Sequence, residues 1–134
     1  TLLRRFGFPV ALIPARPSLV AQKRGADLGL DTHIGVLDKL ACMDELLARH
    51  GLARDQACFV GDDLPDLDCL RVAGLAVAPA NAHPWIAEIV HWRTHARAGE
   101  GAVRELCDLL LAAQGHLPAI LAGRDPASRD GRRA

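Results

Sequence analysis

The sequence predicts an α/β fold: a parallel sheet with helices on both faces. Short continuous apolar runs, the pattern of strands buried on both sides, alternate with segments whose apolar residues recur at helical spacing. The connections between them are short, as a β-α-β alternation demands. A length of 134 residues, half of them hydrophobic, suffices for one compact domain with its own core.

The first apolar run, Pro9 to Ile13, reads as a buried strand. Residues 17–29 follow as a helix, with Pro17 suited to its first turn and Gly29 to its stop. His33 to Val36 is a short β-prone segment. Asp38 is placed to cap a helix that runs to about His50 and ends at Gly51. Its apolar residues Leu40, Met43, Leu46 and Leu47 share one face. Ala57 to Val60 is the next buried strand and runs into Gly61-Asp62-Asp63, after which a helix spans 64–73. Leu75 to Ala78 is a strand closed by Pro79, residues 83–89 read as helix, and Ile89 to Trp92 as a short strand. Gly101 to Gln114 is a strong amphipathic helix with Val103, Leu106, Cys107, Leu110 and Leu111 on one side. From Gly123 onward the apolar pattern stops, and that tail reads as disordered.

Composition excludes several classes. Lys plus Arg is 16 and Asp plus Glu is 16, so a nucleic-acid binder held by phosphate neutralisation is not expected. No apolar run reaches the ~20 residues of a membrane helix. The four cysteines lack C-x-x-C spacing, which speaks against zinc and against a disulfide framework, and so for the cytoplasm. Cys58 and Cys107 lie in apolar runs and read as small core residues. Of the basic residues only Lys23 and Lys39 are lysines.

In an open parallel sheet, ligands bind at the carboxyl ends of the strands. There the chain places four carboxylates, Asp62, Asp63, Asp66 and Asp68, within a stretch of seven residues right after a strand. Such crowding is relieved by a hard divalent cation, Mg²⁺ being the usual partner of one or two carboxylates plus a phosphate. Asp62 is the candidate ligand, whereas Asp68 fits the dipole of the following helix. Lys39, at a helix start on the same edge, is either a phosphate-binding point charge or an exposed helix lysine. Arg16 and Ser18, directly after the first strand, are candidates for an anionic substrate. Gly99-Glu100-Gly101 is either an anion-binding turn or a plain loop before a helix.

Together, Pro9 to Ile13 with Arg16, Asp38-Lys39-Leu40, Phe59 to Asp66, Gly74 to Ala78, Ala80 to Pro84 and Gly101 to Glu105 resemble the haloacid dehalogenase (HAD) superfamily. Within it they are similar to the small, capless phosphatases acting on 3-deoxy-D-manno-octulosonate 8-phosphate. The resemblance implies a HAD-like Rossmannoid sheet without a cap, whose first strand is missing here. Residues 1–115 would be the C-terminal three-quarters of the domain and 116–134 a tail. It implies Mg²⁺, transfer of the phosphoryl group to an aspartate, and hydrolysis of that aspartyl phosphate by water. Asp62 then holds the metal, Asp63 and Asp66 support the metal site, Lys39 steadies the phosphate, and Arg16 and Ser18 touch substrate. The nucleophile lies upstream of this chain, so the chain alone is expected to be inactive. The implied substrate is a small phosphorylated sugar acid of lipopolysaccharide biosynthesis, and the implied assembly a homotetramer. The chain departs from the family at Pro14-Ala15, where Thr-Gly is usual, and at Glu100, where a basic or neutral residue is usual. Those departures suit an alternative, a non-catalytic HAD-like oligomerisation domain of the kind attached to sialic-acid cytidylyltransferases.

Overall fold

The structure is a computed structural model that describes residues 7–13, 31–33 and 38–123. Two short strands, β1 (Ala11–Leu12) and β2 (Asp31–Thr32), pair in parallel. Strands β3 (Cys58–Val60), β4 (Leu75–Ala78) and β5 (Trp92–Arg93) form a second parallel sheet in the order β3-β4-β5. Helices α1 (Lys39–Arg49), α2 (Leu67–Val72) and α3 (Pro84–Ile89) lie between successive strands, and α4 (Ala102–Ala113) and α5 (Leu117–Leu121) follow β5. This is the predicted α/β alternation with parallel strands. The predicted helix over 17–29 and the tail after Gly123 lie outside the described residues.

Helix α1 begins and ends where its sequence says. The Asp38 carboxylate accepts from Ala41 N at 2.9 Å, satisfying one of the free amides of the first turn. At the other end Gly51 takes φ +66°, and Leu52 N donates back to Leu47 O at 2.9 Å. Met43 is buried. The expected helix over 64–73 is divided in two. Leu64–Asp66 is a 3-10 turn and only Leu67–Val72 is α-helical, because the Asp66 side chain folds back onto the preceding amides.

Strand β4 is the spine. Ala76, Val77 and Ala78 are each 0% exposed, and the small side chains of Ala76 and Ala78, on one face of the strand, let α2 and α3 approach, so that Leu70 and Ile86 close over them. Gly74 leads into β4, and a Cβ there would meet the carbonyl oxygen of Asp55 at 2.0 Å. Beyond β4, His91 N donates to Ala76 O at 2.9 Å while Ala76 N donates to His91 Nδ1 at 2.8 Å. An imidazole thus fills a ladder position, and regular pairing begins only at Trp92, later than the predicted Ile89 to Trp92.

Three expectations are corrected. Cys58 is exposed, and Phe59 and Val60 are half-buried, because β3 has a ladder partner on one side only among the described residues. Pro9 is exposed and the first strand is reduced to Ala11–Leu12, which pairs with Asp31–Thr32; of the predicted β-prone segment His33 to Val36, residues 34–36 lie outside the described residues. On α4 the inward residues are Ala102, Leu106 and Leu111, whereas Val103 is 61% exposed.

Leu70 sits at the centre of this packing, 1% exposed. Leu70→Ala is expected to destabilise the fold by about 2–5 kcal/mol. A urea unfolding midpoint that does not move would remove it from the core.

Candidate functional site

The turn after β3 is organised by one carboxylate. Asp66 Oδ2 accepts from the amides of Asp62 at 3.0 Å and Asp63 at 3.3 Å. Asp66 Oδ1 accepts from Lys39 Nζ at 2.6 Å, across 27 residues of sequence. Both side chains are largely withdrawn from water, at 11% exposure for Lys39 and 8% for Asp66. The turn can close this tightly only because residue 61 has no side chain. A Cβ on Gly61 would lie 2.4 Å from Asp66 Cβ. Asp63 caps the 3-10 turn, accepting from Leu64 N at 2.8 Å. Gly61 N donates to Val77 O at 3.1 Å, and His83 N donates to Asp62 O at 2.9 Å. The loop is therefore sewn to the end of β4 and to the start of α3.

These residues border a cavity of about 400 Å³, within the usual range for small-molecule sites. Lys39, Val60, Gly61, Asp62, Asp63, Pro65 and Asp66 line it from α1 and the acidic turn. Pro79 joins from the end of β4, Ala98 and Gly99 from the segment after β5, and Ala102 and Val103 from the first turn of α4. The cavity lies at the carboxyl ends of parallel strands, where open α/β sheets bind their ligands.

The acidic residues divide their work. Asp62 and Asp63 are both exposed at the cavity, but Asp66 has both oxygens engaged and Asp63 serves as a cap through Oδ1, which leaves Asp62 as the cavity carboxylate not engaged in holding the turn. Among the described residues no three carboxylate, imidazole or thiolate side chains converge on a metal position. One free carboxylate beside a phosphate-sized space still fits Mg²⁺, which keeps most of its shell as water and phosphate oxygen. Arg16, Ser18 and the Pro14-Ala15 departure lie outside the described residues.

Two contributors were not singled out by residue type. Glu105, in the first turn of α4, accepts from His95 N and Ala96 N at 3.0 Å. Asn81 Oδ1 accepts from Ala98 N at 2.7 Å. Both belong to segments quoted for the resemblance, but spacing alone says nothing of bonds between residues 9–17 apart. The Gly99 and Gly101 pair, at φ +80° and +104°, makes the turn into α4. Its Glu100 pairs with Arg97 at 2.9 Å on the surface.

Comparison with known proteins agrees with this geometry. The sequence pattern of the haloacid dehalogenase-like hydrolases matches residues 30–106. The 3-deoxy-D-manno-octulosonate 8-phosphate phosphatase of Salmonella typhi is 42% identical over 110 residues, 81% of this chain. The chain spans 58% of that relative's length. A crystal structure of a hypothetical protein from Xanthomonas campestris superposes with a TM-score of 0.87 at 59% identity, covering 90% of this chain and 66% of that one. The Moraxella catarrhalis 3-deoxy-D-manno-octulosonate 8-phosphate phosphatase, solved with magnesium, phosphate and KDO, gives 0.86 at 33% identity, covering 90% and 70%.

Two outcomes follow from the site. Removing the ammonium leaves a buried carboxylate unpaired, so Lys39→Met is expected to cost about 3 kcal/mol in a denaturant titration. The amides of His95 and then Ala96 hold the Glu105 carboxyl below its ordinary pKa. Its contribution to stability is therefore complete above the normal glutamate range and is lost as pH falls through the lowered value. A carboxyl-carbon NMR titration should place its midpoint below that of an unstructured glutamate; a higher midpoint removes the clamp.

Proposed function

The chain belongs to the haloacid dehalogenase-like hydrolase family, and on that premise we propose that it carries the metal- and phosphate-holding half of a phosphomonoesterase active site. The observation that carries this reading is the meeting of Lys39, Asp62 and Asp66 at one cavity beyond the end of β3. The proposed substrate is 3-deoxy-D-manno-octulosonate 8-phosphate, a step in building the sugar acid of lipopolysaccharide. The phosphatase relatives support it, and those named above give no support to a non-catalytic reading.

In this mechanism Asp62 would hold Mg²⁺ through its free carboxylate. The ion supplies positive charge against the oxygens of the transferring phosphoryl group. Lys39 presents a second positive charge, and Asp66 fixes its ammonium in place, so no reorganisation is needed as negative charge develops. Asp66 also aims the amides of Asp62 and Asp63, which sets the direction of the Asp62 side chain. An aspartate carboxylate oxygen would bond to phosphorus as the P–O bond to the sugar breaks and the sugar leaves as its protonated alcohol; water would then attack the acyl phosphate, giving inorganic phosphate and the free carboxylate. The only Asp-x-Asp here, Asp66-Leu67-Asp68, has its first carboxylate consumed by Lys39. In the phosphatases this chain resembles, the nucleophile is a carboxylate of an Asp-x-Asp pair on the first strand, and with this one engaged we place the nucleophile outside these 134 residues. Arg16 and Ser18 would hold the sugar acid, and neighbouring subunits of a homotetramer would close the open cavity.

The test is phosphate release from 3-deoxy-D-manno-octulosonate 8-phosphate by the complete gene product with Mg²⁺. Asp62→Asn is expected to lower kcat by about two to three orders of magnitude. Full turnover in that variant would take Asp62 out of the metal site. The 134-residue chain by itself is expected to release no phosphate; Mg²⁺-dependent hydrolysis by a pure sample would show that a residue within it is the nucleophile.

A further inference from the structure

The far wall of the cavity is built from a segment with no regular structure. Ala98 and Gly99 lie between β5 and α4, and Gly99 has φ +80°. Backbone of this kind stays in place only if something outside it supplies the bonds that a helix or strand would make.

Thr94 Oγ1 donates to Ala96 O at 2.6 Å, and three attachments by charged or amide side chains also reach the segment. The Arg97–Glu100 ion pair is local and both side chains are over 60% exposed, so it adds little. Glu105 binds the amides of His95 and Ala96, ahead of the cavity residues. Asn81 alone of these three acts on a cavity residue directly, accepting from Ala98 N at 2.7 Å. It projects from the turn that follows Pro79, itself a cavity residue, and that turn also bonds through Ala80 N to Ala96 O at 3.1 Å. Since Ala98 offers an N–H, the side-chain atom that meets it must be the amide oxygen.

The geometry points to Asn81 as a positioning residue whose amide oxygen sets the far wall of the cavity, and with it the space open to the part of the substrate beyond the phosphate. This rests on the proposed reading of the cavity as a phosphomonoester site. Asn81 touches none of the groups assigned to the phosphoryl group, so it acts on how substrate is held and not on the chemical step. An aspartate at position 81 supplies the same acceptor, whereas alanine does not. The residue is exposed, and its replacement leaves the core intact.

The experiment pairs amide hydrogen exchange with kinetics. In the 134-residue chain, Asn81→Ala should speed exchange at Ala98 by roughly tenfold while the melting temperature holds, and Asn81→Asp should restore protection. In the complete gene product with Mg²⁺ and 3-deoxy-D-manno-octulosonate 8-phosphate, Asn81→Ala should raise KM roughly five- to tenfold with kcat within about twofold, and Asn81→Asp should recover KM. Unchanged exchange at Ala98 overturns the proposal, as does faster exchange with an unchanged KM or a fall in kcat alone. If the wild-type product hydrolyses no phosphomonoester, the functional reading fails, and exchange at Ala98 alone then decides whether Asn81 holds the wall.

Discussion

The acidic side of the cavity hangs from the contact between Lys39 and Asp66. An ammonium on the first residue of a helix is poorly placed, since the helix dipole presents positive charge there. It is held because a carboxylate waits 2.6 Å away in a setting that water barely reaches. That carboxylate is itself satisfied by two backbone amides, which offsets part of the cost of burying the pair. The result is a joint between α1 and the turn after β3 that fixes both at once. The position of Asp62 is a by-product of this joint: its amide is tied down, its carbonyl is tied to His83, and only its side chain is left open to solvent.

The packing beneath serves the same end. Ala76 and Ala78 in β4 admit Leu70 and Ile86 closely, so the strand that carries the loops is packed tightly against α2 and α3. Cys69 beside Leu70 is fully buried, and burial pushes its thiol up to about 11, which keeps it a neutral packing group at ordinary pH. On this base the two sides of the cavity are made differently. One side is a short acidic turn knotted on itself; the other is an irregular segment held by Asn81 and Glu105.

Much of this was legible in the residues. Asp38 and Gly51 bracket α1 through local bonds, and local bonds leave local signatures. The acidic run and the scarce lysine marked the right edge of the sheet. What the pattern did not carry is the distribution of roles within it. Which aspartate pairs, which caps and which stays open depends on a contact 27 residues away. Cys58 was misplaced for a related reason: an apolar run shows that a strand exists, but not whether both its faces and both its edges are covered. His91 illustrates a third limit, since an imidazole standing in for a backbone acceptor follows no periodicity.

The missing Cβ at Gly61 has a wider consequence. Any side chain there collides with Asp66, and displacing Asp66 strands the charge of Lys39. Positions 39, 61 and 66 are therefore mechanically coupled: a change at any one of them disturbs the contacts made by the other two.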